Sequence, residues 1–424
     1  MVEQARALGF DLCGVAPAED FPELGRLPEW LSRGYAGEMD YLGDARRRSP
    51  ARVLPLARSL IVCALNYNTS LPYSTQTPSW GEGVTTLEGK NETRKSKLEN
   101  RLVGAGLSSR VQPRDAPPNS ASSQPSYPAA PSGPRGWLSR YAWGDDYHEV
   151  LRGKLEALVA ALREQVTEPF EARAYVDTGP VIERVAAKYA GLGWLAKNTC
   201  LINEELGSWL FLGVIVTTLE LAPSLDKSEA PPPDLCGNCG LCIEACPTGA
   251  IVEPYVLDAP RCISYLTIEL RGSIPAEFRE AIGRHVFGCD ICQDVCPWNR
   301  SAPATPLPAF QPRTVSGAVG AQHAAPLQTR SPSATPQADS LFAPELEWLA
   351  SLSAEQFREV FRGSAVKRTK WRGLVRNACV ALGNSNVRAG APVWPRILAQ
   401  LERLAQSDDA IIAEHARWAL ARLR

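Results

Sequence analysis

The chain has 424 residues, twelve cysteines and a formal net charge of −1. That length can bury a large core divided among two or three domains. The near-neutral balance excludes a global field toward nucleic acid or membrane, so any nucleic-acid contact has to come from a local patch.

The N-terminus "MVEQARALGF" has no basic stretch followed by an apolar run, and the most apolar stretch, "WLFLGVIV" (209–216), is too short to span a bilayer. The expectation is a cytoplasmic, monomeric protein outside the membrane, where clustered cysteines serve as metal ligands rather than disulfides. Along the chain, "GFDLCGVAPA" reads as a strand leaving a Gly turn, and "SLIVCALNY" (59–67) as a buried strand. From Asn68 to about Gly136 the sequence is polar and rich in Ser, Pro and Gly, with too little apolar material to offset ordering entropy, so most of it is expected to be disordered. "DDYHEVLRGKLEALVAALREQ" is an amphipathic helix carrying Val150, Leu151, Leu155, Leu158, Val159 and Leu162 on one side. "EARAYVD" follows as a strand, and "TGPVIERVAAKYAGLG" as a helix opened by Pro180 and closed by Gly191 or Gly193. With the strand at 209–216 these make an α/β domain over residues 1–225. A second polar stretch, 311–342, is expected to be a disordered linker before an all-helical region, 343–424. There "NACVAL" (377–382) and "HARWAL" (415–420) recur at a spacing of 38, which fits a HEAT-like helical pair or an ordinary helical bundle.

The region 226–310 carries the chemistry. Cys236-x2-Cys239-x2-Cys242-x3-Cys246-Pro has the bacterial ferredoxin spacing, followed by Cys262 and then Cys289-x2-Cys292-x3-Cys296-Pro. In that pattern the cysteine before each Pro ligates the other cluster. Cys236, Cys239, Cys242 and Cys296 are therefore expected to hold one [4Fe–4S] cluster, and Cys246, Cys262, Cys289 and Cys292 the second. A pair of zinc sites would use two CxxC pairs and a longer spacer, and has no use for the third x2 cysteine. Cys13, Cys63, Cys200 and Cys379 stand singly in apolar surroundings and read as small core residues. Two clusters carry single electrons, so they feed another centre, yet no P-loop, GxGxxG or CxxCH names one.

"VDTGPVIERVAAKYAGLGWLAKNT", "RYAWGDDYHEVLR", the double cysteine motif ending "GCDICQDVCPWN", and "KRTKWRGLVRNACVALGN" together resemble the epoxyqueuosine reductase family, in the family's order. The resemblance implies a corrinoid-binding α/β (α+β) core, an inserted two-cluster ferredoxin-like domain and a helical tRNA-binding region. It implies reduction of epoxyqueuosine to queuosine at the wobble position of tRNA, with cobalamin (as cob(II)alamin) reduced by the clusters. Its partners would be a queuosine-family anticodon stem-loop and an unidentified electron donor. The corrinoid fingerprint D-x-H-x-x-G fails in "DYHEVL" at Leu151, and His148 reads as a helix-surface residue. That failure agrees with the family, which is thought to bind the corrinoid without a histidine ligand.

By residue alone Asp177 is either an N-cap or a ligand-site carboxylate at a strand end. The resemblance makes it the proton donor, with a pKa raised beside an apolar corrin face. It also places Arg140, Lys197, Asn198, Leu201 and Tyr265 at the corrin, and Arg184 toward the active site or the RNA. Arg362, Lys367, Arg368, Lys370, Arg372 and Arg376 form a basic patch with no acidic residue among them, read as an RNA surface or a solvated helix face. Trp371 is either a base-stacking platform or core. A corrinoid reductase of a small molecule and a plain electron carrier remain as alternatives, separable by turnover on tRNA and by a corrinoid spectrum.

Overall fold

The computed structural model describes residues 1–77, 133–225, 230–314 and 340–424. Its central element is Ser59–Asn66, buried along its whole length. Leu12–Pro17 and Leu210–Thr217 flank it, and Ala172–Tyr175 adds the far edge. All three pairings are antiparallel. This narrows the α/β (α+β) expectation for the first domain to α+β, because a four-stranded antiparallel sheet with helices on both faces is an α+β arrangement.

The two-residue period of the buried strand explains the layers. Ile61, Cys63 and Leu65 face the Tyr147–Gln165 helix, which packs Leu151, Leu155, Leu158 and Leu162 against them. Leu60 and Val62 face the opposite way, toward Val185, Ala186 and Ala187 of the Glu183–Tyr189 helix. That helix begins at Glu183 behind Ile182, so neither Pro180 nor Asp177 opens it. Asp177 instead has φ +57, the left-handed region, and the N-cap reading of it falls.

The expected boundaries are crossed by packing. Trp137–Leu138 pairs in parallel with His285–Phe287 of the cysteine region. Trp137, Leu138, Trp143 and Phe287 then share one core with Leu374, Ala378 and Leu382 of the C-terminal helices. The edges of both polar stretches are ordered: Asn68, Thr69 and Ser74 are buried, and so are Ser340, Leu341 and Phe342. The rest of both stretches, 78–132 and 315–339, lies outside the described residues. The C-terminal region is helical as expected, with Lys370–Gly383 packing against Ala410–Leu423.

Two arginines serve as internal struts. Arg140 is 1% exposed and donates to the carbonyls of Thr69, Leu71 and Pro72 at 3.0–3.2 Å, between the rings of Tyr73, Trp143 and Trp209. Arg376 is equally buried and donates to the carbonyls of Leu266, Leu270 and Gly272 at 2.6–2.9 Å. Burial pushes its pKa down to about 10, so it remains charged at neutral pH. Both sequence assignments are corrected here: Arg140 is enclosed by backbone carbonyls, and Arg376 ties the helices to the cysteine region instead of facing RNA. Trp371 is likewise core, donating from Nε1 to Leu352 O at 2.7 Å. Arg376→Ala leaves three carbonyls without a donor and opens a cavity, so a loss of about 3 kcal/mol or more is expected. Thermal denaturation checks this, and an unchanged midpoint would remove the strut.

Candidate active site

Between the sheet, the Glu183–Tyr189 helix and the cysteine region lies a cavity of about 1580 Å³, lined among others by Tyr67, Tyr141, Tyr147, Phe211, Asp177 and Arg368. Drug-sized sites occupy about 300–1,000 Å³, so this space suits something larger. The ring of Tyr147 stacks on Phe211 at 4.4 Å with an interplanar angle of 3°, giving the cavity a flat aromatic wall.

The charge arrangement begins at a helix end. Asp146 caps the Tyr147–Gln165 helix by accepting from the His148 amide, and its Oδ1 also meets His148 Nδ1 at 2.7 Å. Lys367 contacts the other oxygen of Asp146 at 2.6 Å. The far side of His148 approaches Asp177 Oδ2 at 3.4 Å, an ion-pair distance, while the Tyr147 hydroxyl donates to the same oxygen at 2.8 Å. The Asp177 side chain is exposed and lines the cavity.

These contacts decide the protonation states. Burial opposes a charge on His148, but its hydrogen bond to Asp146 and its ion pair with Asp177 outweigh it and raise the pKa to about 9. Burial likewise opposes a charge on Asp177, yet His148 and Tyr147 outweigh it and hold the carboxyl below its ordinary range. Asp177 is thus an ionised carboxylate in this state, against the raised pKa expected from sequence, and His148 holds the proton. Burial keeps Tyr147 a phenol far above neutrality. Glu183, also in the wall, is pushed up to about 7 by burial and then by the Asp177 charge.

Of the residues expected at the corrin, only Asp177 lines the cavity. Lys197 reaches instead to the carbonyls of Gly237 and Cys239, and Asn198 Nδ2 donates to Cys292 O at 3.3 Å. Leu201 is core. Tyr265 is buried under Gly37, its hydroxyl accepting from the Glu38 amide at 2.8 Å. Arg184 and Arg368, expected at RNA, line the cavity. Arg184 donates to Thr199 O, and Arg368 is bidentate to Glu269 at 2.8 and 3.1 Å beneath the ring of Tyr41. Lys370 and Arg372 are exposed, with Arg372 paired to Asp409. Tyr147, His148 and Glu183 were missed. The signal for the first two was the adjacent Asp146 cap, which turns the first helical turn toward the strand end.

The eight cysteines occupy turns and helix ends. Cys289 interacts with Cys262 and Cys246, and Cys292 with Cys289 and Cys262, whereas Cys296 interacts with Cys236 and Cys242. The fold brings these thiols near one another. Among the described residues no three Cys, His, Asp or Glu side chains close on a point suited to a single metal ion. The Ala250 amide donates to Cys246 Sγ at 3.2 Å. Burial pushes Cys236 and Cys242 up to about 11 and Cys296 to about 12, so metal uptake here displaces protons.

Residues 235–299 match the family described as "4Fe-4S double cluster binding domain", and residues 115–178 match "Epoxyqueuosine reductase QueG, DUF1730". The chain is 34% identical over 421 residues to the epoxyqueuosine reductase of Pseudomonas aeruginosa, covering 98% of this chain and 92% of that one. It is 37% identical over 393 residues to that of Gloeobacter violaceus, covering 90% and 94%. The chain belongs to the epoxyqueuosine reductase family. It is an oxidoreductase that reduces epoxyqueuosine. Among solved structures, an epoxyqueuosine reductase crystallised with an epoxyqueuosine-modified tRNA-Tyr stem loop superposes with TM-score 0.71 at 29% identity, covering 99% of this chain and 88% of that one. The Bacillus subtilis epoxyqueuosine reductase, solved with its catalytic aspartate loop swung out of the active site, superposes with TM-score 0.66 at 25% identity, covering 100% and 98%.

In this reductase Cys296→Ala should abolish the cluster shared with Cys236, Cys239 and Cys242 and leave the other. Iron content near half and the EPR signal of a single reduced cluster are expected, and two intact clusters would refute the crossed grouping.

Proposed function

We propose that this reductase acts on epoxyqueuosine at the wobble position of a queuosine-family tRNA anticodon stem-loop, with cobalamin in the 1580 Å³ cavity and two [4Fe–4S] clusters behind it. The single observation that carries the reading is the carboxylate of Asp177, held in the cavity wall by Tyr147 and His148. Cobalamin fits the size and the flat aromatic wall of the cavity. His148 is committed to two carboxylates, so the corrinoid would sit without it as a ligand. Tyr67, Phe211 and Arg184 would border the group, and when bound it would supply electrons at low potential to the substrate carbon. The cluster ligands are the two crossed sets of four cysteines. On the spacing of 38, the last helices would form a HEAT-like unit beside the RNA.

Reducing an epoxide to an alkene takes two electrons and two protons and releases water. The oxygen must be protonated before it leaves. Tyr147 faces the cavity as a phenol and can give one proton to that oxygen, and the Asp177 carboxylate can relay the second from the His148 imidazolium. Lys367 and Asp146 keep His148 oriented.

Asp177→Asn keeps the shape and tolerates the positive φ, as Asn commonly does. Single-turnover reduction with a strong chemical reductant should slow by at least about 100-fold, within the ~10²–10⁴ typical of general acid–base catalysis. Near-normal turnover would remove Asp177 from the chemistry. Because the His148 pKa lies above its unfolded value, the charged form is complete below about 6.5 and lost as pH rises through about 9. The wild-type rate should fall across that upper limb, and His148→Asn should flatten the limb. A limb that persists in the variant belongs to another group. Exposed Arg362, Lys370 and Arg372 are the RNA contacts of the basic patch. Their joint replacement by Ala should weaken stem-loop binding and reduce the salt slope by up to about 0.9 per lost phosphate contact. Unchanged affinity at low salt would move the RNA surface elsewhere.

A further inference from the structure

The cavity wall carries an aromatic ring that the proton chemistry does not use. Tyr41 belongs to the Asp40–Gly43 turn, lines the cavity and is 46% exposed. Large apolar side chains are otherwise covered, and among the described residues only Leu56 and Tyr255 are comparably open.

The ring is exposed but firmly held. Arg47 is 8% exposed, and its guanidinium lies 5.7 Å from the ring centroid. It donates from Nε to Tyr41 O at 3.3 Å and from Nη1 to Val181 O at 3.4 Å. Val181 belongs to the short segment between Asp177 and the Glu183–Tyr189 helix, so one arginine ties the ring to the segment bearing the carboxylate. The Arg368 guanidinium lies 5.5 Å from the same centroid and is itself fixed by its bidentate pair with Glu269. A ring braced by two fixed cations is in place before any ligand arrives, which lowers the cost of binding to it.

The charge around the ring selects the ligand. Arg46 and Arg48 flank Arg47 and are both exposed. Arg46 pairs with Asp44 at 2.7 Å, whereas Arg48 pairs with no carboxylate among the described residues. Lys370, two residues beyond Arg368, is exposed as well. Two basic stretches far apart in the chain thus meet at Tyr41. Tyr255 also lines the cavity, but its hydroxyl donates to Asp234, a carboxylate that would repel a phosphate.

We propose that Tyr41 is a stacking platform for a base adjacent to the modified nucleoside of the RNA loop, with Arg48 holding a phosphate beside that base. This site presupposes the stem-loop substrate proposed above. Bases of single-stranded loops are recognised by stacking on aromatic rings and guanidinium planes. Drawing the modified base into the cavity breaks its stacking on both neighbours, and an aromatic face in the cavity wall restores part of that loss to one of them.

The test is a double-mutant cycle on protein loaded with clusters and cobalamin. Wild type, Tyr41→Phe and Tyr41→Ala are titrated with an epoxyqueuosine-bearing stem-loop and with versions abasic at the nucleotide before or after the modified one. Wild type that binds this stem-loop no better than an unrelated hairpin would overturn the substrate reading itself. Given specific binding, Tyr41→Ala should weaken it about 5- to 150-fold, the range of one base–aromatic stack, and Tyr41→Phe should stay within about twofold. One abasic stem-loop should lose comparable affinity for wild type and nothing further for Tyr41→Ala, because the two partners are then already apart. The salt slope should be unchanged in the Tyr41 variants and fall by up to about 0.9 in Arg48→Ala. Should Tyr41→Ala lose iron, Tyr41→Leu fills the space without a planar face and carries the same cycle. Wild-type affinity in the variant that lacks the ring, or abasic losses equal in that variant and in wild type, would overturn the inference. A slope unchanged by Arg48→Ala would overturn the phosphate contact. Loss of cobalamin from Tyr41→Ala with stem-loop affinity kept would assign the ring to the corrinoid and overturn the inference equally.

Discussion

The ion pair between Asp177 and His148 is the interaction on which the site depends. A carboxylate facing a large cavity would ordinarily be solvated and mobile. Here it is fixed from three directions, by the Tyr147 hydroxyl, by the imidazolium, and by its own left-handed backbone. Each depends on something further away. Tyr147 and His148 are the first residues of a helix whose register is set by four leucines on the sheet. The charge on His148 depends on Asp146, which is held in turn by the helix amide and by Lys367 from the C-terminal region. An amphipathic pattern in one helix thus sets the protonation of a group near its N-terminus.

The same logic joins the electron and proton sides. The Asp290 carboxylate, next to the ligand Cys289, accepts from Trp137 Nε1 at 3.0 Å, from Ser139 and from the Arg140 amide. Segment 137–143 then leads directly into the Asp146 cap, so the cysteine motif and the proton-holding groups share one short stretch of chain. Arg140, enclosed by the carbonyls of 69–72, anchors the start of the polar segment against this hub. Loss of any one of these buried polar partners leaves others unsatisfied, which is why such networks behave as units.

Much of this was legible in the sequence, and the misses have physical reasons. The cysteine spacing carries its own geometry, since a tight loop with x2 separations can present three sulfurs to one cubane. The strand and helix periods were equally readable at 59–66 and 147–165. What periodicity cannot convey is direction at polar positions. Arg376 and Lys370 belong to one basic run, but the helix turns Arg376 inward onto three carbonyls and leaves Lys370 exposed. Lys197 and Asn198 were assigned to the right neighbourhood and the wrong partner, because a strained turn can face either side. His148 looked like a surface residue of an amphipathic helix, and only the fold brings the strand end carrying Asp177 up to it. The pKa of Asp177 was misjudged for the same cause: burial alone would raise it, and the cation beside it was invisible in sequence.

Under the proposed function, clusters, cavity and proton-holding groups act on one substrate. The most direct measurement is nucleoside mass analysis of an epoxyqueuosine-bearing tRNA stem-loop after incubation with the purified protein, loaded with iron–sulfur clusters and cobalamin, and a measured amount of reductant. The account predicts conversion to queuosine, with one oxygen lost for every two electrons consumed. A stem-loop that binds and retains its epoxide while both clusters and cobalamin are present and reductant is consumed would contradict it.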